Sequence, residues 1–224
     1  MSEEKVTRGV IVEVDFTMID GASILFDITK EKLAGLGIDF SIKLEALHLA
    51  GGKMQGGFTE LLEKLGKEAD AVELANDIQA AFKEEVTKRF SSLMTSDVRN
   101  FIKKLTDREI KVVLSTRGDV EVLKEVCAEL DNPLVVPYAD TSKTYGGGKW
   151  DDWRRTLSAN TLANILTVGI TGSGHGVKAA LLASVAAIAV VHDHVAYQDF
   201  GGADVAFDKF EEKIADEVIR VMHI

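Results

Sequence analysis

The chain has 224 residues, of which 46% are hydrophobic and 28% are charged, and this composition is typical of a globular protein with a sizeable core. Its formal net charge of -10 argues against non-specific binding to nucleic acid and against attachment to an anionic membrane surface. The one cysteine, Cys127, excludes an internal disulfide framework and a multi-cysteine metal site, so we expect the cytoplasm or another reducing compartment.

The sequence as given leads us to expect neither a secretory signal peptide nor a membrane-spanning segment. The first residues, MSEEKVTR, lack the apolar run that a secretory signal peptide needs, although a processed organellar protein would look the same. The longest apolar stretch, Val177 to Val191, is too short to span a bilayer and predicts a buried helix followed by a strand. We therefore expect a chain without membrane insertion.

The first strong signal in the chain is residues 8–21, RGVIVEVDFTMIDG. The apolar, β-branched run from Gly9 to Val12 predicts a buried strand, and two acids, Glu13 and Asp15, follow it. Because residues two apart on an extended segment point the same way, both carboxylates should face one crevice at the end of the strand. Open α/β sheets bind their ligands at that end.

The next segment, residues 21–95, shows helical periodicity and no strand signal, so we expect an all-helical module inserted after the first strand. Its predicted helices lie near Ile24–Leu36, Ser41–Leu49, Thr59–Gly66 and Ala69–Met94. The glycine-rich loop LAGGKMQGG, with Lys53 near its middle, separates two of them, and Thr59 is positioned to cap the helix that follows the loop.

Beyond residue 95, strand and helix signals alternate along the chain. The predicted strands are Ile110–Leu114, Leu134–Val136, Ile165–Ile170, Ala187–Val191 and Ala203–Phe207, with helices between and after them. This alternation predicts an α/β protein with a parallel, doubly wound sheet. We expect residues 1–20 and 96–224 to form that core, and residues 21–95 to form the helical module.

The segment around Glu13 resembles motif I of the haloacid dehalogenase (HAD) superfamily, a hydrophobic strand followed by Asp-x-Asp-x-Thr or Val. Asp15 and Thr17 match the pattern, whereas Glu13 stands where the family has its first Asp. The resemblance implies a nucleophile at the first acid and a general acid/base at the second. The helical module resembles a C1-type cap, and HLAGGKMQGG with its basic Lys53 resembles the cap segment of the phosphoglucomutase-like branch.

Two further segments resemble the middle motifs of the family. Ser115, beside Thr116 in VVLSTRGD, resembles motif II, whose hydroxyl holds the phosphoryl oxygens; a helix N-cap explains Ser115 equally well. Lys149, in GGGKWDDW, resembles motif III, whose lysine neutralises charge on the nucleophile and the phosphate. Residue type alone favours a solvated loop lysine, but the helix predicted over Asp151–Leu162 separates Lys149 from the next strand, as the family requires.

The stretch LTVGITGSGHGVKAALL, residues 166–182, resembles motif IV, Glu-Asp-Ser-x-x-Gly-Val-x-Ala-Ala, in which the acids hold Mg²⁺. Ser173 and the Gly-Val and Ala-Ala pairs match, but the acid positions fall on Thr171 and Gly172. A hydroxyl group and a hydrogen atom cannot replace hard anionic ligands for Mg²⁺. We therefore expect no metal and no cofactor unless the chain is an active enzyme, in which case Mg²⁺ is implied.

These departures leave two hypotheses for the function. In the first, the chain is HAD-like but impaired in Mg²⁺-dependent phosphoryl transfer, and it binds a phosphorylated small molecule or a protein partner. Glu13 is one methylene longer than Asp, and misplacing a reacting atom by about an ångström can cost on the order of 10²-fold in rate. In the second, it is a phosphatase or phosphomutase that uses Glu13 or a water activated by Asp15. We expect the first.

The expected ligand-binding residues are Thr17, Thr116, Lys53, Ser173 and Gly174. Ser173 and Gly174 follow a predicted strand and begin a helix, so free N–H groups there could hold a phosphate, although the glycines could equally serve a tight turn. Glu13 could instead be a structural acid that hydrogen bonds or Lys149 satisfy. The spacing of His192 and His194 would allow a metal site, but such a segment is more typical of an exposed loop.

Overall fold

A computed structural model describes residues 7–223. In this part of the chain, six strands form one parallel sheet in the order β3–β2–β1–β4–β5–β6. The strands are Thr7–Glu13 (β1), Lys111–Thr116 (β2), Val135–Ala139 (β3), Leu162–Thr171 (β4), Ala186–Val190 (β5) and Val205–Phe207 (β6). The predicted parallel α/β sheet is confirmed. The central strand is β1, which pairs with β2 on one side and with β4 on the other.

Helices cover both the insertion after β1 and the connections between the later strands. They are Val14–Thr17 (α1), Gly21–Ala34 (α2), Ile42–Leu44 (α3), Met54–Lys64 (α4), Ala71–Arg89 (α5), Ser96–Thr106 (α6), Val120–Ala128 (α7), Trp150–Ala159 (α8), Gly174–Leu182 (α9) and Ile214–Val221 (α10). Within residues 7–223, no helix is long and apolar enough to cross a membrane. We call residues 21–95 the cap and the rest of the described chain the core.

Two features of the cap differ from the sequence-based prediction. Helix α4 begins at Met54, and Thr59 lies inside it, where its hydroxyl donates to the carbonyl of Gln55 at 2.9 Å. The prediction of a Thr59 cap was therefore wrong, because Gly56 and Gly57 are already part of the helix and Lys53 is the N-cap. The predicted second helix is also irregular, since α3 continues into a single π-helical turn, Glu45–Leu49.

The strand β1 ends at Glu13, and the next four residues form the short helix α1. Asp15 is therefore helical, and the expectation that both acids project from one extended segment was wrong. The turn is closed by the hydroxyl of Thr17, which donates to the carbonyl oxygen of Glu13 at 2.8 Å. This change of direction separates the two carboxylates and lets each meet a different neighbouring strand.

One apolar cluster joins the cap to one face of the sheet. Phe16, just after β1, stacks on Phe82 of α5 with ring centroids 5.6 Å apart, and both rings are buried. Trp153 and Val177 belong to a second apolar cluster, which includes Ile11 of β1 and Val113 of β2. Burial of an apolar side chain of this size contributes roughly 1.5–3 kcal/mol. The cap is thus held to the core by its own hydrophobic contacts.

Backbone hydrogen bonds also join the cap to the core, between residues 50–54 and residues 143–145, which we call the strap. The amide of Gly51 donates to the carbonyl of Tyr145 at 3.1 Å, and the amide of Tyr145 donates to the carbonyl of Gly52 at 2.9 Å. The amide of Met54 donates to the carbonyl of Lys143 at 3.0 Å. Gly51 has a φ of +70°, which a side chain would strain. The strap therefore joins the cap to the core through backbone hydrogen bonds as well as through apolar packing.

Candidate functional site

The carboxyl ends of three neighbouring strands form the crevice of the site. Glu13 ends β1 directly opposite Ser115 of β2, and Thr171 ends β4 on the other side of β1. Side chains at the ends of parallel strands meet at one edge of the sheet, which is where such folds bind ligands. The structure therefore brings together residues from predicted motifs that are far apart in the sequence.

Both carboxylate oxygens of Glu13 accept hydrogen bonds from the protein. The Thr171 hydroxyl donates to one, and the amide of Gly148 donates to the other at 2.9 Å. Burial raises the pKa of Glu13 from 4.5 to about 7, although these two donors and the Arg117 charge act in the opposite direction. The Lys149 ammonium makes no ion pair with any described residue, so Glu13 is held by hydrogen bonds and not by Lys149.

Asp15 is fully enclosed and equally well hydrogen bonded. Its carboxylate accepts from the Thr116 hydroxyl at 2.5 Å and from the backbone amide of Arg117 at 2.6 Å. The Thr116 hydroxyl itself accepts from the amide of Gly118 at 2.9 Å, which fixes its orientation. Burial raises the pKa of Asp15 from 3.8 to about 6, with the hydrogen bond from Thr116 as the largest opposing cause.

The guanidinium of Arg117 is a cation whose charge acts on both of these acids. Its side chain is 10% exposed and pairs with Asp140 at 3.0 Å. It also donates to the carbonyls of Thr144 at 2.8 Å and Gly146 at 2.5 Å, and it lies 5.2 Å from the centre of the Phe16 ring. Its charge lowers the pKa of both Glu13 and Asp15. Arg117 therefore joins the crevice to the loop that carries the strap.

The helix start after β4 is largely filled by the protein's own groups. The Ser173 hydroxyl caps α9 by accepting from the amide of Gly176 at 2.9 Å. The amide of Gly174 donates to the side-chain oxygen of Gln198 at 2.9 Å. A side chain at Gly172 would overlap the carbonyl of Phe16. The amides of Gly174 and Gly176 are thus already engaged, which reduces the number of donors for a phosphate.

Ser115 lies at the floor of the crevice, beside Glu13 and Trp153. It is buried, and its hydroxyl makes no hydrogen bond within residues 7–223. The interpretation of Ser115 as a helix cap was wrong, since Asp119 caps α7 by accepting from the amide of Glu121 at 3.0 Å. The Ser115 hydroxyl is consequently available for a ligand, a water or a substrate oxygen.

A groove of about 500 Å³ runs between the cap and the core outside this crevice. Lys53, from the start of α4, and Lys149, from the start of α8, both line it, together with Lys143 and Arg155. None of the three lysines makes an ion pair with another described residue, whereas Arg155 pairs with Asp152. The two predicted basic residues are therefore brought to the same cavity.

The rest of the groove lining is polar and mostly uncharged. The side-chain amides of Gln55, Asn76 and Gln79 line it and make no hydrogen bond to any residue that the structure describes. Two carboxylates, Asp151 and Asp152, are also present. Four cations against two carboxylates leave an excess of positive charge in a chain that is strongly acidic overall. The groove is chemically suited to an anion with a polar body.

Comparison with solved structures identifies the fold. Phosphate-bound CbbY from Rhodobacter sphaeroides matches with a TM-score of 0.64 at 19% identity, over 93% of this chain and 96% of that chain. β-Phosphoglucomutase from Clostridium difficile matches with a TM-score of 0.69 at 14% identity, over 98% and 100% of the two chains. A CbbY variant with xylulose-(1,5)bisphosphate matches with a TM-score of 0.63 at 15% identity, over 92% and 95%.

The chain has the haloacid dehalogenase fold. No family model matches the sequence, and no curated protein matches it either. The similarity therefore establishes the architecture of this HAD-fold chain, and the chemistry of its site must be argued from its own residues.

The acids of this HAD-fold crevice do not form a fitting site for Mg²⁺, which needs several free, hard oxygen ligands in octahedral geometry. All four oxygens of Glu13 and Asp15 accept hydrogen bonds, and the Arg117 guanidinium already supplies positive charge beside them. Within residues 7–223, no three His, Cys, Asp or Glu side chains come together in an arrangement suited to a metal ion. In the resemblance to motif IV the acid positions fall on Thr171 and Gly172, and a Cβ at Gly172 would overlap the carbonyl oxygen of Phe16.

Sequence reasoning missed three functional neighbours in the HAD-fold site. Arg117 lies in STRGD, two residues after Ser115, and this proximity was the available signal. Asp140 and Gln198 carried none, because their partners lie 23 and 24 residues away along the chain. His194 was expected on an exposed loop, but its side chain is only 10% exposed and contacts the cap. That expectation was wrong because the buried Glu45 of the cap binds it.

Proposed function

We propose that this HAD-fold chain is impaired in Mg²⁺-dependent phosphoryl transfer and binds a phosphorylated small molecule in the groove between cap and core. The hydrogen bond from Thr171 to Glu13 carries the proposal. Phosphoryl transfer needs a free nucleophile and a cation that neutralises developing charge. Here the carboxylate at the nucleophile position is bound by two protein donors, and Gly172 lacks room for any side chain.

The ligand class follows from the charge and lining of the groove. A phosphate monoester carries about two negative charges at neutral pH, which matches the excess of two positive charges among its lining side chains. The unpaired ammonium groups of Lys53, Lys143 and Lys149 can neutralise it, and the amides of Asn76 and Gln79 can bind hydroxyl groups on its body. The solved CbbY structures with phosphate and xylulose-(1,5)bisphosphate support this class by analogy.

Two measurements test the proposal. The first is a phosphatase assay with Mg²⁺ on a broad set of phosphate esters, with Lys149→Ala as the background. Turnover by the native chain well above that background would falsify the loss of phosphoryl transfer. The second is a Mg²⁺ titration by calorimetry, in which we expect no saturable, site-specific binding to the native chain.

Ligand binding is measured by calorimetry with the same esters. Because an ammonium–phosphate contact is charge-assisted, we expect Lys53→Ala and Lys143→Ala each to weaken binding on the order of 10- to 100-fold. Lys64→Ala is the matched control, since Lys64 lies on the same cap helix as the groove wall but pairs with Glu60 at the surface. A chain that binds no ester and turns none over would instead favour the protein-partner alternative.

A second candidate, a hydrolase that still acts through these acids, rests on their pKa values. The pKa of Glu13 is about 7 and that of Asp15 is about 6, so both acids can exchange protons near neutral pH. In this alternative, Glu13 attacks the ester or Asp15 activates a water. Turnover by the native chain separates the two candidates. Glu13→Gln abolishes that turnover if Glu13 is the nucleophile, and Asp15→Asn abolishes it if Asp15 activates a water, whereas binding in the groove remains in both variants.

A further inference from the structure

Glu45, in the π-helical turn of the cap, is a buried carboxylate whose partners belong to the core. It is 4% exposed. One of its oxygens accepts from His194 Nε2 at 2.9 Å and from the Tyr197 hydroxyl at 3.3 Å. His194 lies in a 3₁₀ turn after β5, and its side chain is 10% exposed. The contact therefore crosses the boundary between cap and core, out of reach of most solvent.

The surroundings of His194 come from both halves of the molecule. The Phe26 ring of α2 packs on the imidazole with centroids 4.6 Å apart. The carboxylates of Asp20, the N-cap of α2, and of Asp27 within α2 act on it through their charge, and they favour its charged form as Glu45 does. The hydroxyls of Tyr145 and Tyr197 also lie near Glu45, and burial raises the pKa of both, so neither ionises near neutral pH. The charge of the contact therefore depends on the imidazole of His194, whose pKa the hydrogen bond to Glu45 raises.

We propose that the Glu45–His194 pair is a pH-sensitive latch that holds the cap closed on the core. The inference concerns how the closed form is maintained and does not depend on which molecule the groove binds. Opening the cap would break this pair together with the strap, whose amides at Gly51, Met54 and Tyr145 donate across the same boundary. The latch would therefore control access to both the crevice and the groove.

The direction of the effect follows from linkage. The hydrogen bond from His194 to Glu45 raises the pKa of His194 above its usual 6.5, so the folded, closed form favours the imidazolium. The stabilisation is complete below pH 6.5 and is lost as the pH rises through the raised pKa. A neutral imidazole can still donate one hydrogen bond, but a charge-assisted bond is roughly twice as strong. The cap should therefore open more easily in mildly alkaline solution.

The experiment is hydrogen–deuterium exchange on the intact chain at about pH 6 and about pH 8. The exchange rates are corrected for the pH dependence of exchange in an unstructured peptide. The readout is the protection of the strap amides relative to amides at the centre of β1. We expect strap protection to fall on the order of 10- to 100-fold between the two pH values, as for loss of a hydrogen bond to a charged group. A strap protection that stays constant or rises with pH overturns the proposal.

Variants assign the effect to His194. His194→Gln keeps a donor but never carries a charge, so strap protection should no longer fall with pH. His48→Gln is the matched control, because His48 pairs with Glu60 at 3.3 Å entirely within the cap; its pH response should equal that of the native chain. Glu13 and Asp15 also titrate in this range, and the His175 ring lies against Gly51 of the strap. A pH response that persists in His194→Gln would assign it to groups other than His194 and overturn the latch.

Tyr197→Phe supplies a test without a change of charge. It removes the weaker, 3.3 Å hydrogen bond to Glu45 and leaves the imidazole in place. We expect lower strap protection at both pH values with the pH response retained. Loss of the pH response in Tyr197→Phe would show that His194 does not carry the effect.

Discussion

The hydroxyl of Thr171, at the end of β4, donates a hydrogen bond to the Glu13 carboxylate at the end of β1. In the resemblance to motif IV, Thr171 takes the place of an acid. Two acids at these positions would repel each other unless a cation lay between them. A hydroxyl removes that repulsion and bonds directly to the carboxylate. The hydroxyl of Thr171 therefore accounts for how one oxygen of Glu13 is held at this edge of the sheet.

Thr171→Val tests this hydrogen bond at nearly constant side-chain volume. The change leaves one oxygen of Glu13 without its donor, which costs about 1–3 kcal/mol for a buried group. We expect the free energy of unfolding of Thr171→Val to be lower than that of the native chain by this amount at about pH 8, where Glu13 is ionised, and by less at about pH 5. Urea denaturation at each pH measures the two differences. Thr59→Val, on the exposed face of α4, should stay within about 0.5 kcal/mol of the native chain.

The raised pKa of Glu13 predicts a pH dependence of stability. Its pKa is 4.5 when unfolded and about 7 when folded, so its contribution is complete below about pH 4.5 and is lost as the pH rises through 7. A shift of this size corresponds to roughly 3 kcal/mol. In Glu13→Gln this decline should be absent. The measurement is urea denaturation from about pH 5 to about pH 8, and equal slopes for both proteins would refute the assignment.

The parallel sheet could be predicted because the signal for each strand is local: a short run rich in β-branched and other apolar residues, bounded by turn residues. The start of α4 could not be predicted, because glycines before Thr59 are typical of a loop. Lys53 becomes the N-cap of α4 through its position in the strap, where it pairs with Thr144 of the core. Glu13 and Asp15 could be found as candidate acids because they directly follow one strongly predicted strand. The Arg117–Asp140 pair and the latch were missed, since side-chain contacts between distant segments leave no periodic signal in the sequence.

Arg117→Met tests the cation of the crevice. The variant leaves Asp140, whose side chain is 16% exposed, without its partner, and breaking a buried pair costs about 3–5 kcal/mol. It should also raise the pKa of Glu13 and Asp15, whose charged forms Arg117 favours. Thermal and urea denaturation measure the loss of stability.

The control for Arg117→Met is Arg155→Met, which breaks an ion pair whose arginine side chain is 54% exposed and should cost at most about 1 kcal/mol. The double variant Arg117→Met with Asp140→Asn removes the unpaired charge and should recover part of the loss. A single variant as stable as Arg155→Met would mean that the guanidinium is not needed to balance the acids.

Gly172→Ala tests whether an acid could ever be accommodated at the second motif IV position. The new Cβ would overlap the carbonyl oxygen of Phe16, a backbone atom of α1 that cannot turn away as a side chain can. We expect a loss of more than about 3 kcal/mol, or failure to fold, because the β1–α1 turn must move. Gly56→Ala is the matched control: no atom lies within 4 Å of its new Cβ, and a helical alanine is favoured by roughly 0.5–1 kcal/mol over glycine. If Gly172→Ala proved as stable as the native chain, a larger side chain at this position would become feasible, and the loss of a metal site would rest on Thr171 and Glu13 alone.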